Sequence, residues 1–208
     1  MGFFITLEGG EGTGKSTQAM RLSDYLRKAG HDVVQTREPG GTPEAESLRD
    51  LLVHGQPSRW SVEAEALLNY AARDHHLNHV IRPALSRGSW VVCDRFMDST
   101  RAYQCYAGGC SDELVDALEK AIVKDTRPNL TLIFDLEPSA GLARANGRTP
   151  GGGDRYERKG LPFHEKLRKG FAVIAAREPS RCKVIDAAQD EDSVFATVLK
   201  HVEAVSRG

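Results

Sequence analysis

The most informative stretch of the chain reads Gly9-Gly10-Glu11-Gly12-Thr13-Gly14-Lys15-Ser16-Thr17. It matches the pattern G-x-x-x-x-G-K-[ST], which is typical of loops that bind the phosphates of nucleotides. Glycines let consecutive backbone N–H groups turn toward an anion, and Lys15 adds a charge that can reach the β- and γ-phosphates. The Ser16 hydroxyl can join the ligand shell of a Mg²⁺ ion. We therefore predict that residues 10–17 bind a nucleoside triphosphate.

The sequence on either side of this loop supports the prediction. A β-branched and aromatic run, Phe3-Phe4-Ile5-Thr6-Leu7, precedes the loop and is typical of a strand. Apolar residues follow the loop at helical spacing until Gly30, where the pattern ends. Strand, loop and helix is the order that a phosphate-binding loop requires. A glycine turn that binds nothing is therefore disfavoured.

Further strands alternate with helices along the 208 residues of the chain. We predict these strands at Asp32–Thr36, Trp90–Cys93, Leu130–Leu136 and Cys182–Asp186. Strands that alternate with helices form a parallel sheet with helices on both faces. The pattern predicts a single domain over residues 1–208, with the α/β class of fold. Its expected architecture is the three-layer α/β/α P-loop NTPase fold with a five-stranded parallel sheet.

Two stretches between the strands have patterns of their own. Residues 61–87 form one long helical pattern that we expect to kink at Pro83. Residues 98–109 are polar, and we expect them to be irregular.

Composition narrows the classes of partner. The net charge is −1 and both signs of charge are mixed along the chain, so no surface suited to nucleic acid is expected. No apolar run is long enough to span a membrane and no charged leader precedes the first strand, which indicates a cytoplasmic protein. The four cysteines form no Cys-x-x-Cys pair, and we expect free thiols.

Polar residues follow the apolar strand at Trp90–Cys93. Asp94 suits a carboxylate that supports Mg²⁺ beside a phosphate loop, and Arg95 adds a guanidinium that binds anions. Asp135 ends another strand in the same way and is a rival for the metal, and either aspartate could instead be a turn residue. We favour Asp94 because Arg95 follows it, and predict Ser16 and Asp94 as the metal site.

A helix face carries Asn69, Tyr70 and Arg73, which could together read a flat polar ring such as a nucleobase. An ordinary solvated helix face explains the same spacing equally well.

His75 and His79 lie one helical turn apart, but no Glu follows His75 in the metalloprotease order. We therefore assign no metal to these histidines or to His76, and expect a solvated face.

Basic residues surround a glycine-rich segment at 151–153. They stand at positions 144, 148, 155, 158 and 159, and indicate a mobile lid over approximately residues 144–160 that closes over the phosphates. A solvated basic loop is the alternative. Glu11 within the phosphate loop favours the lid, because an acid there cannot supply positive charge.

Four stretches together resemble the bacterial thymidylate kinase family, over nearly the whole chain. They are Gly10–Thr17, the T-R-E-P-G-G-T run Thr36–Thr42, Tyr70–Arg73, and the D-R-x-x-x-S-T-x-A-Y-Q run Asp94–Gln104. The phosphate loop alone indicates only a nucleotide, whereas the second and fourth stretches are particular to this family. The resemblance implies phosphorylation of dTMP to dTDP in dTTP biosynthesis, with ATP and Mg²⁺, by a homodimer.

The resemblance also assigns roles by matching position. It places the acceptor phosphate at Arg95, with Arg49 nearby, and the lid arginines at Arg148 and Arg155. With Lys15, these lid residues and Arg95 form the expected catalytic set. The residues expected around the nucleoside are Arg73, Thr100 and Gln104 at the thymine and Glu8, Glu38 and Tyr103 at the sugar.

The chain departs from the family pattern at Asn69. Many members have a Phe there, which stacks on thymine, so either Tyr70 supplies the ring or stacking is weaker here.

Two rival functions remain open. One is a kinase for another nucleoside monophosphate or for a deoxynucleoside. The other is a nucleotide-controlled switch, which is disfavoured because no N-K-x-D guanine-reading sequence occurs.

Overall fold

A computed structural model of the chain describes residues 2–148 and 154–206. Within these ranges one sheet contains five parallel strands in the order β2-β3-β1-β4-β5. The strands are β1 Phe3–Gly9, β2 Val33–Arg37, β3 Trp90–Asp94, β4 Leu130–Asp135 and β5 Cys182–Asp186. The α/β class, the parallel sheet and the positions of its strands are confirmed to within one or two residues at each end.

Helices connect the strands and cover both faces of the sheet. The helices are α1 Lys15–Lys28, α2 Pro43–Val53, α3 Val62–His76, α4 Arg82–Ser86, α5 Met97–Thr100, α6 Asp112–Leu118, α7 Pro138–Arg148, α8 Leu161–Arg177 and α9 Glu191–Ser206. Turns of π-helix extend α3, α5 and α6, at Leu77–Ile81, Arg101–Ala107 and Glu119–Val123.

The long helical pattern at 61–87 is confirmed, and its irregularity lies before the proline. The π-helical turn Leu77–Ile81 joins α3 to α4, and Pro83 stands in the first turn of α4. A proline is tolerated in a first turn because its missing N–H would have no partner within the helix.

The expectation that residues 98–109 are irregular is wrong. Helix α5 and the π-helix after it run without a break from Met97 to Ala107. Polar Thr100 and Gln104 are buried along with Ala102 and Tyr103, so the inner face of this helix is polar as well as apolar. An apolar period therefore does not reveal this helix in the sequence.

Parallel register brings the two informative stretches to one edge of the sheet. Leu7 in β1 lies opposite Asp94 at the end of β3, so the phosphate loop and Arg95 emerge side by side. Apolar side chains of β1 pack on α1 and α9 on one face of the sheet and on α3 on the other. The packed sheet thus fixes both loops at the carboxyl ends of its strands, where ligands bind in open α/β sheets.

Candidate active site

The phosphate loop joins β1 to the first turn of α1. Gly9, Gly12 and Gly14 have φ of 137°, 66° and 85°, a region that residues with a Cβ rarely adopt. At Gly12 an added Cβ would lie 2.0 Å from the carbonyl oxygen of Gly141 in α7. The loop therefore depends on glycine both for its backbone turn and for its close approach to α7.

Lys15 points back into this loop. Its Nζ donates to the carbonyl oxygen of Gly10 at 2.5 Å and to the Thr13 hydroxyl at 3.0 Å. Burial, together with the nearby Arg95, lowers the pKa of Lys15 to about 8. An anion bound in the loop would stabilise the protonated form of this lysine, because an opposite charge favours ionisation.

Ser16 and Asp94, the two residues of the predicted metal site, are in direct contact. The Ser16 hydroxyl donates to Asp94 Oδ2 at 2.5 Å, while the buried Asp94 Oδ1 has no partner among the described residues. The rival Asp135 is instead bound by the Arg168 guanidinium, at 2.7 and 2.9 Å. A hydroxyl and a carboxylate with an open oxygen fit the oxygen ligands that Mg²⁺ prefers.

Arg95 contacts the phosphate loop at two residues, Gly9 and Glu11. Its Nη1 donates to the carbonyl oxygen of Gly9 and its Nη2 to Glu11, both at 2.9 Å. The Tyr103 hydroxyl donates to the same Glu11 carboxylate at 2.5 Å. Burial alone would raise the pKa of Glu11, but Arg95 and Lys15 lower it to about 2. Glu11 is therefore ionised and holds Arg95 beside the loop.

A cavity opens beside Arg95, and most of the predicted acceptor residues line it. Its walls include the predicted residues Glu11, Glu38, Arg49, Arg73, Arg95, Thr100, Tyr103 and Gln104. The wall also contains Asn69, and sequence reasoning assigned no role to its other residues, which are Pro39, Leu52, Val53, Phe96, Ser99, Asp154 and Tyr156. Phe96 carried a signal, since it directly follows Asp94-Arg95, but a ring in that position is as typical of a core.

Arg73 is fixed on the floor of this cavity. Its Nε donates to Glu38 at 2.7 Å and its Nη2 to the Thr100 hydroxyl at 3.1 Å, and Arg73 itself is 2% exposed. Burial lowers the pKa of Arg73, but Glu38 more than offsets this and raises it. The remaining nitrogen, Nη1, is buried without a partner among the described residues. Arg73 thus keeps a donor group for a ligand.

The structure does not bring Tyr70 to the cavity. Tyr70 is fully buried in the apolar cluster beneath the sheet, with the Arg73 guanidinium 4.5 Å from the centre of its ring. Asn69 lines the cavity instead, and its Nδ2 donates to the carbonyl oxygen of Glu65. Helix α3 therefore presents no aromatic ring to the cavity, but Phe96 does. The Arg73 guanidinium lies 5.1 Å from the centre of the Phe96 ring.

Glu8 lies behind the cavity wall rather than in it. Its carboxyl group accepts from the Phe96 backbone N–H at 2.8 Å and from the Ser99 hydroxyl at 2.5 Å. Burial, and then the charge of Asp98, raise the pKa of Glu8 to about 8. In this structure Glu8 therefore shapes the turn that carries Phe96 and Ser99, rather than lining the cavity expected to hold a sugar.

Glu65 on α3 collects four donors from two parts of the chain. Arg155 donates to it at 2.7 Å, Lys159 at 3.2 Å, Tyr156 at 3.2 Å and Gln104 at 2.8 Å. Sequence reasoning missed Glu65, because an acid on a helix usually faces solvent. The contact ties the cavity residue Gln104 to the segment that follows residue 153.

Of the two expected lid arginines, the structure describes the side chain of Arg155. Arg155 is fully buried, and besides Glu65 it donates to the carbonyl oxygens of Leu52 and Pro57. Its contacts are therefore with the α2–α3 region, not with the phosphate loop. The side chain of Arg148 and residues 149–153 lie outside the described residues, so the glycine-rich middle of the expected lid does too.

The three histidines of α3 and the π-helical turn that follows it do not share one environment. His75 and His79 stack at 3.9 Å between ring centres on the outer side of the helix. The expectation of a solvated face is wrong for His76, which is fully buried. Among the described residues no group of three or more His, Cys, Asp or Glu side chains is placed to hold a metal ion.

The fold and the loop define a P-loop nucleotide-binding protein, with a second cavity that holds arginines beside the loop. The family model for thymidylate kinase matches residues 7–198. The chain therefore belongs to the thymidylate kinase family.

Individual relatives agree with this assignment. The chain is 57% identical to a thymidylate kinase of Caulobacter vibrioides, over 95% of this chain and 94% of the relative. It is 50% identical to a thymidylate kinase of Jannaschia, over 94% of this chain and 93% of the relative. A crystal structure of thymidylate kinase from Ehrlichia chaffeensis superposes with a TM-score of 0.79 at 35% identity, covering 97% of this chain and 98% of that one.

The contacts of Glu65 predict a large effect on stability. Glu65→Gln keeps the size of the side chain but leaves Arg155 buried beside a neutral amide. We expect the free energy of unfolding to fall by about 3–5 kcal/mol, as when one partner of a buried ion pair is removed. Urea denaturation measures it. Glu191→Gln is the matched control at an exposed pair with Arg21, and it should lower stability far less, because water screens an exposed pair. Equal effects of the two substitutions would contradict the buried pairing.

Proposed function

We propose that this chain phosphorylates dTMP to dTDP, with ATP as the phosphoryl donor and Mg²⁺ as the metal, by direct in-line transfer. The observation that carries the proposal is the cavity beside the phosphate loop, where Arg95, Arg73 and Arg49 face a common space. A protein that only binds and hydrolyses a nucleotide needs no such second site. Membership in the thymidylate kinase family supports dTMP as the acceptor.

The chain's own residues hold the donor. Backbone N–H groups of residues 10–17 and the first turn of α1 face the phosphates, and protonated Lys15 adds a charge there. Ser16 and Asp94 would hold the metal ion. When bound, the ion neutralises charge on the donor phosphates.

The acceptor fits the second cavity by charge and by hydrogen bonding. Arg95, with Arg49 nearby, would bind the acceptor phosphate. Arg73 donates but does not accept hydrogen bonds, so it suits the O4 carbonyl of thymine and not the amino group of cytosine. Thr100 and Gln104 flank the same space, while Glu38 and Tyr103 are placed to meet the sugar.

No general base is needed for this reaction. The second pKa of a phosphate monoester is about 6, so the acceptor is already largely ionised at neutral pH. The protein therefore contributes position and electrostatic stabilisation, which are the main terms in phosphoryl transfer. Arg148 is proposed to join Lys15 and Arg95 in stabilising the transferred group.

Two expectations about the whole protein stay predictions. A homodimer and a cytoplasmic location both follow from the family resemblance and the composition. The structure adds that none of the helices in its described ranges has the length and apolar character needed to cross a membrane.

The function is tested by an ADP-release assay with Mg-ATP and one acceptor at a time. We expect dTMP to be turned over faster than dCMP, dGMP and thymidine, because the cavity has donors for phosphate and for the thymine carbonyls. Preference over dUMP, which has the same carbonyls and lacks only the C5 methyl group, is expected from membership in the family. Comparable rates with dUMP would keep the kinase but show that Asn69 leaves base selection loose. Saturation by thymidine, or no acceleration by any monophosphate, would contradict the proposal.

Arg95 gives a sharper test of the assigned acceptor site. Arg95→Ala removes the guanidinium at the acceptor phosphate, and we expect kcat to fall by about 10²–10³, as for loss of one donor at a developing charge. The dissociation constant for Mg-ATP, measured by calorimetry, should change less than about threefold. Arg95→Lys is the control that keeps the charge but loses the forked geometry. Equal loss of turnover and of ATP binding would refute the role.

Lys15 predicts a pH dependence of ATP binding. Its pKa of about 8 in the free protein is below the ordinary value, so the charged form that binds phosphate is lost as the pH rises through 8. We expect KM for ATP to rise roughly eightfold between about pH 7.5 and about pH 9, from the fraction of Lys15 that remains protonated. Lys15→Arg stays charged, so its profile should be flat over this range. A flat profile in the unaltered protein would contradict the low pKa.

A further inference from the structure

His76 is a buried side chain that the proposed mechanism does not use. It is the last residue of α3, and its ring is fully enclosed. Nδ1 lies 3.0 Å from Glu38 Oε1, and Nε2 lies 2.7 Å from Thr36 Oγ1. Both ring nitrogens therefore have a partner, one on the strand β2 and one on the loop that follows it.

The partners assign the protons of this ring. An ionised Glu38 only accepts hydrogen bonds, so Nδ1 of His76 carries a proton and donates to it. The Thr36 hydroxyl can donate to Nε2 of the neutral ring. His76 is thereby held in one orientation by two different groups, as when a second hydrogen bond fixes the tautomer of a histidine.

The loop that covers this pair leaves little room for movement. Gly41 has a φ of 87°, and a Cβ there would lie 2.5 Å from His76 Nε2 and 2.7 Å from Thr36 Oγ1. The backbone of the T-R-E-P-G-G-T run thus closes directly over the imidazole. His76 and Glu38 are packed as one unit.

Glu38 links His76 to a residue of the cavity wall. One carboxylate oxygen, Oε1, accepts from His76, and the other, Oε2, accepts from Arg73 Nε at 2.7 Å. Arg73 is the cavity residue that keeps an unpartnered buried nitrogen among the described residues. A continuous set of contacts therefore runs from Thr36 through His76 and Glu38 to Arg73.

We propose that His76 is a positioning residue for the acceptor nucleotide: its imidazole fixes the Glu38 carboxylate, which in turn aims the Arg73 guanidinium at the base. This inference rests on the proposed function, because it needs Arg73 to contact dTMP. His76 itself touches no substrate. Its effect is on how tightly the acceptor binds, and not on the transfer step at the phosphate loop.

Two substitutions separate the two ring nitrogens. His76→Asn places an amide near the position of Nδ1 and keeps the contact to Glu38. His76→Gln places its amide near Nε2, so it keeps the contact to Thr36 and loses the one to Glu38. The two variants have similar polarity, and each loses one hydrogen bond from the same buried site.

The measurement is steady-state kinetics with dTMP and with ATP varied in turn. We expect His76→Gln to raise KM for dTMP about tenfold, equivalent to about 1.4 kcal/mol. His76→Asn should stay within about threefold of the unaltered protein, and kcat and KM for ATP should stay within about twofold in both. Equal KM values for dTMP in the two variants, or a loss of kcat with unchanged KM, would overturn the proposal.

A double-mutant cycle provides the second readout. In a Glu38→Gln background, His76→Gln should raise KM for dTMP no further, because its route to Arg73 is already broken. Additive effects would overturn the proposal.

If the His76 variants do not fold, Thr36→Val and its conservative counterpart Thr36→Ser test the far end of the same contacts. Thr36→Val should raise KM for dTMP while Thr36→Ser should not, and identical values would count against the role.

Kinetics of the unaltered protein distinguish failure of the proposed function from failure of the role of His76. If the protein turns over dCMP as fast as dTMP, base reading by Arg73 fails whatever His76 does. If it selects dTMP and the Asn and Gln variants are equal, only the positioning role of His76 fails.

Discussion

Pairing of buried charge is the constraint on which this site depends. A carboxylate or guanidinium that leaves water costs several kcal/mol unless an opposite charge and hydrogen bonds replace the water. Four carboxylates in and around the cavity meet this requirement with arginines, whereas buried Glu8 has the Phe96 N–H and the Ser99 hydroxyl and a raised pKa. The pairs are Glu11–Arg95, Glu38–Arg73, Glu65–Arg155 and Asp98–Arg181. Each pair fixes a guanidinium in one place before any ligand arrives, and a group already held in place loses less entropy on binding.

These pairs also divide the arginines by task. Arg95 and Arg73 both line the cavity. The guanidinium groups of Arg155 and Arg181 instead bind other parts of the protein, and only Nη2 of Arg155 has no partner among the described residues. Reading the sequence alone, Arg155 is one of several basic residues in a glycine-rich segment. Only the position of Glu65, ninety residues earlier in the chain, shows that its charge is already matched.

The same reasoning explains what could be predicted from the sequence. The strands and the phosphate loop are local: a run such as Trp90–Asp94 and a motif with fixed spacing contain their own evidence. The resemblance added residues of the cavity: the D-R-x-x-x-S-T-x-A-Y-Q stretch contains Arg95, Thr100, Tyr103 and Gln104, and two other matching stretches contain Glu38 and Arg73. His76 and Glu65 could not be found this way. Both look like polar residues on an amphipathic helix, and their burial depends on partners brought by other elements.

The Glu11–Arg95 pair shows how an arginine with partners in the protein can also bind a ligand. The Arg95 guanidinium is matched by Glu11 and by the carbonyl oxygen of Gly9. In the proposed reaction the acceptor phosphate brings at least one negative charge to the same group, so the phosphate competes with Glu11 for it. Besides Arg95, the Tyr103 hydroxyl and the charge of nearby Lys15 also lower the pKa of Glu11. Exchange of one anion for another at Arg95 therefore leaves the guanidinium paired, and the Glu11 carboxylate keeps the hydrogen bond from Tyr103.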